Sequence, residues 1–262
     1  MTELKESHLK YIAAFAMLCD HFAHAVPQWR EDYYAFPGFF FHCIGTAAAP
    51  IFFYMLARGF RRTRSVKKYA GRLFIFACIS YFPFILFFTG TPDTFRDFLR
   101  LNVIFLMFFA LILLKILNDE LPLGYKILGV LICSFFIVLS DWGLMGLIYI
   151  LIFDFFRNNK KAILFCGIII VIIKLNSDYF SVFEAAYNYN YKPYLNLNKA
   201  SKVILYDICA IIPFLLIYAV NNENTIEATD LQTRKKSFFG KWFFYIFYPA
   251  HLLIFYLFYS LQ

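Results

Sequence analysis

The stretch Lys10-Tyr-Ile-Ala-Ala-Phe-Ala-Met-Leu-Cys-Asp20-His21 lies in the first long apolar segment of the chain, which runs from about residue 9 to residue 26. An acid and a histidine side by side in such a segment are costly, because hydrocarbon does not solvate ionisable groups. Lys10 and His21 are eleven residues apart. On a helix this separation is about 1100°, within about 20° of one face, with a rise of about 16 Å. The stretch therefore predicts a membrane helix that carries a polar site.

Two structural interpretations of these residues remain open. Lys10 could be a snorkelling anchor on the cytoplasmic side, which any first helix can carry. His21 could be a polar residue that a partner satisfies inside a helix bundle. Asp20 and His24 are four residues apart, so Asp20 reaches His24 more easily than His21.

Asp20, His21 and His24 could be imagined as metal ligands. They lack an obvious partner motif, so we predict no metal site.

Composition places the chain among polytopic membrane proteins. The 262 residues are 61% hydrophobic and 16% charged. Soluble domains are less hydrophobic and more highly charged than this. The net charge of +8 does not indicate nucleic-acid binding, because the cations cluster between apolar segments as the positive-inside rule expects. The six cysteines form no CxxC or zinc-finger spacing, so they are interpreted as buried thiols. We predict one all-α transmembrane domain over residues 1–262.

Hydropathy predicts about nine transmembrane helices with the N-terminus in the cytoplasm. The densest basic run, between residues 58 and 72, follows the second helix and fixes the orientation. The first segment has no small-residue cleavage site and is expected to be a retained helix. The fifth to seventh segments are short, so one pair could be re-entrant and the number of spans could differ by one or two. The predicted helices are residues 8–26, 39–59, 69–89, 101–118, 124–140, 144–157, 162–175, 203–220 and 238–260.

His251 and Asp141 are two further candidate site residues. His251 lies twelve residues into the last helix, as His21 does in the first, so both are about 18 Å from the inner surface. Both imidazoles are therefore predicted to face one cavity, with Tyr248 lining it, unless His251 instead caps backbone freed by Pro249. Asp141 lies in an outer Asp-Trp-Gly turn, where it is either a helix N-cap or a functional acid.

The basic run has more cations than topology requires. Arginine and lysine bind phosphate through charge-assisted hydrogen bonds, so this loop is also a candidate site for a polyphosphate ligand. The chain has no GxSxG elbow, Walker loop or GxGxxG motif, and too few acids within its spans to indicate a proton-coupled transporter.

Short motifs spread over the whole chain resemble the TraX family. That family is related to the membrane acyltransferases that include the acyltransferase-three O-acetylases and heparan-α-glucosaminide acetyltransferase. The resemblance covers the chain from end to end. The matching residues are Leu9-Lys10, Met17, Asp20-His21, Pro50-Ile51-Phe52, Gly59-Phe60, Thr63-Arg64, Lys68-Tyr69, Arg72-Leu73, Asn102, Asp141-Trp142-Gly143, Phe244-Tyr245, Phe247-Tyr248-Pro249 and His251-Leu252.

The resemblance implies a multi-pass acetyltransferase of the cytoplasmic (inner) membrane. Acetyl-CoA would be the donor, and the acceptor would be an extracytoplasmic peptide amine, such as the N-terminus of pilin, or a glycan. In the wider group a helix with an Arg/Lys-x10-His spacing carries the catalytic histidine, which Lys10 and His21 match. The resemblance implies His21 as the catalytic residue, and the polar positions above add Asp20, His251 and Asp141 as predicted catalytic residues and Tyr248 and Asn102 as predicted substrate residues. The predicted acetyl-CoA residues are Lys10 and the cations of the basic run, Arg61, Arg62, Arg64, Lys68 and Arg72.

Two other classes of function remain open at this stage. One is a non-enzymatic membrane factor for the assembly of pili or surface polymers. The other is a small-molecule transporter. The expected partners besides acetyl-CoA are the acceptor and the lipid bilayer, without nucleic acid.

Overall fold

The computed structural model describes residues 4–188, 197–220 and 238–260. Within these ranges the chain is helical and forms no strand, so the all-α prediction is confirmed for this part of the protein. The helices are α1 (Glu6–Ala25), α2 (Pro27–Glu31), α3 (Gly38–Gly45), α4 (Ala48–Arg62), α5 (Val66–Ile79), α6 (Tyr81–Thr89), α7 (Phe95–Leu99), α8 (Val103–Asn118), α9 (Leu123–Val138), α10 (Gly143–Phe155), α11 (Lys160–Asn188), α12 (Leu197–Cys209), α13 (Ile212–Ala219) and α14 (Phe238–Ser260).

Each of the nine predicted segments lies on one of these helices or on a consecutive pair. The second segment is divided into α3 and α4, and the eighth into α12 and α13. The third is divided into α5 and α6, which are bent by 42° at a short break. Pro83 lies in the first turn of α6, where its missing N–H costs no intrahelical hydrogen bond.

The prediction that the seventh helix ends at residue 175 was wrong, because α11 continues to Asn188. The sequence becomes polar after residue 175, and the apolar pattern ends there. However, residues 176–188 include no glycine or proline to break the helix. Two polar stretches of the sequence fall on residues that the structure does not describe. A Tyr/Asn-rich stretch at residues 187–194 lies mostly outside the described residues, and a polar stretch at residues 221–237 lies wholly outside them.

Two helical stretches of the described chain are long and apolar enough to cross a membrane. They are Gly38–Arg62 (25 residues) and Ser201–Ala219 (19 residues), and the bent pair α5–α6 makes a third if it is one span. Helices α8, α9, α10 and most of α14 are shorter and apolar. This is the architecture of a helical membrane protein. The predicted number of nine spans and the cytoplasmic N-terminus stay predictions.

The chain divides into two compact units. The first unit comprises Met1–Ile51 and Phe156–Asn221, and the second comprises Phe52–Phe155 and Asn222–Gln262. In the first unit α1 packs on α3, and α11 packs on α12 and α13. In the second unit α8 packs between α5 and α9, and α14 packs on α6. The single-domain prediction is untested by this division and stays a prediction.

Candidate functional site

Helix α1 carries Lys10, Asp20, His21 and His24. It is continuous from Glu6 to Ala25, so Lys10 and His21 lie on one helix at the predicted spacing. His21 is buried, with 8% of its surface exposed. The predicted helix and its buried histidine are therefore present in the first unit.

The nearest partner of Asp20 is a histidine that the sequence did not indicate. Nδ1 of His42, on α3, donates a hydrogen bond to Oδ1 of Asp20 at 2.9 Å. His42 is fully buried, and its Nε2 has no hydrogen-bond partner among the described residues. Because a carboxylate can only accept, Nδ1 carries the proton in this arrangement.

His24 completes a compact group with Asp20 and His42, called the Asp20 cluster below. Nε2 of His24 lies 3.9 Å from Oδ2 of Asp20, and its ring centroid is 4.7 Å from that of His42. One ligand atom from each of the three side chains lies within 4.8 Å of the other two. The predicted proximity of Asp20 and His24 is confirmed, and α3 adds the third member.

Aromatic side chains cover the Asp20 cluster. The ring of Tyr33 stacks on His42 with centroids 3.8 Å apart, and Tyr206 from α12 meets Tyr33 edge-on at 5.5 Å. Burial raises the pKa of the Tyr33 hydroxyl above its ordinary value, so this phenol stays neutral. The rings give the cluster a largely apolar wall.

Gly45 allows α3 to approach α1 at the cluster. A Cβ atom at this position would lie 2.5 Å from Cβ of Asp20 and 2.7 Å from its Oδ1. No side chain fits in that space, and small residues are what let helices in a membrane pack closely. Gly45 begins a run of small residues, Gly45-Thr46-Ala47-Ala48-Ala49, so this run starts at the close contact.

The first unit also contains an ion pair that sequence reasoning missed. Lys174 on α11 forms a salt bridge with Asp207 on α12, and its ammonium lies 4.5 Å above the ring of Tyr206. Asp207 is fully buried. The signal in the sequence was an acid within the eighth apolar segment, which calls for a nearby cation.

Arg61 is exposed, and hydrogen bonds within the second unit hold its side chain in place. Its Nε donates to Oδ1 of Asp154 at 2.6 Å, a terminal nitrogen donates to the other carboxylate oxygen, and a third donor reaches Asn118 at 2.9 Å. This fork ties α4 to α10 and α8. Arg62, Arg64 and Lys68 are exposed, whereas Arg72 is half-buried beside Tyr69. Arg62, Arg64 and Lys68 are therefore the predicted phosphate ligands that are exposed and do not take part in this fork.

Asn102 has a structural role at the start of α8. Its side-chain oxygen accepts from the amides of Ile104 and Phe105, and its side-chain nitrogen donates to the carbonyl of Ala77. These contacts make Asn102 an N-cap that also anchors α5. The contact with substrate that was predicted for Asn102 stays a prediction.

Asp141 and Tyr248 meet near this end of α8. The backbone amide of Asp141 donates to the carbonyl of Leu101 at 2.7 Å. Tyr248 of α14 is buried beside Asp141. Three of the predicted site residues, Asn102, Asp141 and Tyr248, thus come together in the second unit.

His251 is buried in α14 and bonded to its own helix. Its Nδ1 donates to the carbonyl of Phe247, four residues earlier, at 2.6 Å. In a neutral imidazole this leaves Nε2 as the proton acceptor. The alternative interpretation was a cap on backbone freed by Pro249, whose missing N–H leaves the carbonyl of Tyr245 without its donor; His251 bonds to Phe247 instead. His251 belongs to the second unit and His21 to the first, so their predicted common cavity stays a prediction.

Comparison with known proteins gives two matches. The family model described as TraX protein matches residues 5–259. The chain is also similar to the probable fimbrial assembly protein FimC, serogroup H1, of Dichelobacter nodosus, with 30% identity over 161 residues. That alignment covers 59% of this chain and 63% of the relative, so it spans less than two thirds of the relative's length. No solved structure matches the chain significantly.

Proposed function

Because the chain belongs to the TraX protein family, we propose that it is an integral-membrane acetyltransferase acting in a pilus-related process. Acetyl-CoA is the donor, and the acceptor is an extracytoplasmic peptide amine or glycan. The name of the similar fimbrial assembly protein supports the link to pili. The membrane is the cytoplasmic (inner) membrane.

The observation that carries this proposal is the placement of Lys10 and His21 on one unbroken helix. Helix α1 keeps their spacing, about 16 Å along the axis, and His21 is buried. Lys10 lies near the start of the helix, where it meets an anionic donor. His21 lies deep enough to meet the thioester, either as general base toward the acceptor or as the carrier of the acetyl group.

The exposed cations after α4 supply the remaining contacts to the donor. Arg62, Arg64 and Lys68 have accessible side chains and bind the phosphates of acetyl-CoA. Arg61 contributes differently, because its guanidinium already forms a bidentate pair with Asp154. It holds α4 in place below the phosphate-binding cations.

The second candidate is a non-enzymatic assembly factor for pili. The observation that favours it is the similarity to a fimbrial assembly protein. This function requires no acetyl-CoA, so binding of the donor separates the two candidates.

A thermal-shift titration with acetyl-CoA tests the proposal. The enzyme predicts a stabilisation that grows with ligand concentration and is lost in Arg62→Gln/Arg64→Gln. The matched control is Arg157→Gln/Lys161→Gln, which removes two exposed cations from the other basic turn. No shift in the wild-type protein, or an equal loss in both double variants, contradicts donor binding at this loop.

A further inference from the structure

We propose that Asp20, His24 and His42 bind a divalent transition-metal ion, with Zn²⁺ as the natural probe. The proposal goes beyond acetyl transfer, since it concerns a binding site that exists with or without that activity. It also reverses the prediction of no metal site, which depended on the absence of a third ligand. The structure supplies this ligand from α3.

The spacing of the three residues is that of a helical metal site. Asp20 and His24 are one turn apart on α1, which places two ligands on one helix face, and His42 approaches from a second helix. Two histidines and one carboxylate are a ligand set that zinc and related ions accept at three-ligand sites, with a further position open.

The distances are short enough for one ion to reach all three side chains. Asp20 offers one oxygen to each histidine, 2.9 Å from Nδ1 of His42 and 3.9 Å from Nε2 of His24. An ion about 2 Å from each ligand atom separates those atoms by about 3–3.5 Å, so small side-chain rotations complete the site.

Burial indicates that the cluster has one closed and one open side. His42 is fully buried, whereas the side chains of Asp20 and His24 are each 27% exposed. The ring of His42 has Asp20 as its only hydrogen-bond partner among the described residues, and its Nε2 is buried without one. Among the described residues, no hydrogen bond to Nε2 therefore holds this ring in place against an ion at Nδ1. The open side leaves room for a water or an acceptor group on the ion.

Ion binding changes the protonation of His42 without adding charge to it. The ion takes the place of the proton on Nδ1, which is hydrogen-bonded to Asp20 without the ion, and the ring stays neutral because it carries its one proton on Nε2 instead. The carboxylate of Asp20 then neutralises part of the charge of the ion. An isolated carboxylate within an apolar segment is costly, so a cation beside it is favourable.

The test measures metal binding by the full-length protein in detergent, without acetyl-CoA. After chelation, the wild-type protein is titrated with Zn²⁺, and we expect one tight site per chain. Asp20→Asn and His24→Ala should each weaken Zn²⁺ by about 100-fold or more, because even outer-shell partners change affinity by 10–100-fold. The matched control is His8→Ala, an exposed histidine on the same helix, which should leave binding unchanged.

Co²⁺ spectra test the third ligand independently of any loss of binding. The wild-type complex should lack a thiolate charge-transfer band, because its protein ligands are nitrogen and oxygen. His42→Cys should gain that band, since the new sulfur replaces the Nδ1 ligand. The proposal is overturned by a wild-type protein without a tight site, by undiminished binding in Asp20→Asn, by a thiolate band in the wild type, or by its absence in His42→Cys.

Discussion

The carboxylate of Asp20 accepts a hydrogen bond from Nδ1 of His42 at 2.9 Å, and the two residues come from different helices, α1 and α3. An acid and an imidazole that are 22 positions apart thus form one partly buried contact in the first unit. His21, the neighbour of Asp20 in sequence, is buried on the same helix. The contact between Asp20 and His42 fixes how closely α1 and α3 pack, which the first prediction tests.

Gly45→Ala should destabilise the first unit by about 1–3 kcal/mol, the usual cost of overpacking. The added methyl group would lie 2.5 Å from Cβ of Asp20, so α3 must move away from α1. The control is Gly71→Ala on α5, where a Cβ meets nothing within 4 Å. There the change should be neutral or stabilising, by up to about 1 kcal/mol. Thermal unfolding in detergent measures both, and equal melting temperatures for the two variants would contradict the close approach.

Arg61→Gln should cost about 2–3 kcal/mol, because hydrogen bonds to a charged group are lost and Asp154 keeps its charge without this partner. Asp154→Asn in the same chain should recover part of that loss, giving a coupling energy of about 0.5–3 kcal/mol in a double-mutant cycle. The exposed neighbour Arg62 is the control, and Arg62→Gln should stay within about 0.5 kcal/mol. Additive effects of the Arg61 and Asp154 substitutions would rule out the pair.

Lys174→Met should be more damaging than the double variant Lys174→Met/Asp207→Leu. The single change leaves a fully buried carboxylate without its cation, which costs about 3–5 kcal/mol. The double change replaces the pair by apolar side chains and is expected to be close to neutral. Chemical denaturation of the purified protein compares the two variants. A double variant less stable than Lys174→Met would show that the pair does not act as a unit.

Thr94→Ala should raise the pKa of Asp97. The Thr94 hydroxyl donates to Oδ2 of Asp97 at 2.6 Å, and this bond to the ionised form holds the pKa of the carboxyl below its usual value. A lowered pKa means that the capping of α7 is present at neutral pH and is lost as the pH falls through the folded-state pKa. NMR titration of the labelled carboxyl carbon measures the shift. Thr94→Ser keeps the hydroxyl and should leave the pKa unchanged, and an equal shift in both variants would disprove the cause.

The fold was predictable wherever the information is local. Runs of apolar residues placed all nine predicted segments on helices, because helix formation follows from nearby residues and burial in lipid. The same reasoning failed after residue 175, where polarity increased but nothing broke the helix. It also did not predict that the eighth segment is divided in two.

The candidate site was predictable only in part, because its contacts are non-local. Helix periodicity placed Lys10 and His21, and it paired Asp20 with His24 across one turn. It did not pair Asp20 with His42, Arg61 with Asp154, or Lys174 with Asp207. Those contacts join residues 22, 93 and 33 positions apart, and they depend on how the helices pack. In the sequence, His42 is one polar residue in an apolar segment. Its contact with Asp20 becomes visible only in the structure, where α3 packs closely on α1 at Gly45.

Transfer of a labelled acetyl group by the purified protein tests the central claim most directly. The protein is incubated with labelled acetyl-CoA and either a peptide with a free N-terminal amine or a glycan, and the labelled product is quantified by mass spectrometry. Loss of a general base typically costs 10²–10⁴-fold in rate. We therefore predict transfer by the wild type and by His8→Ala, and a rate at least about 100-fold lower in His21→Ala. Failure of the wild type to transfer the label to either acceptor, or an undiminished rate in His21→Ala, would contradict the account.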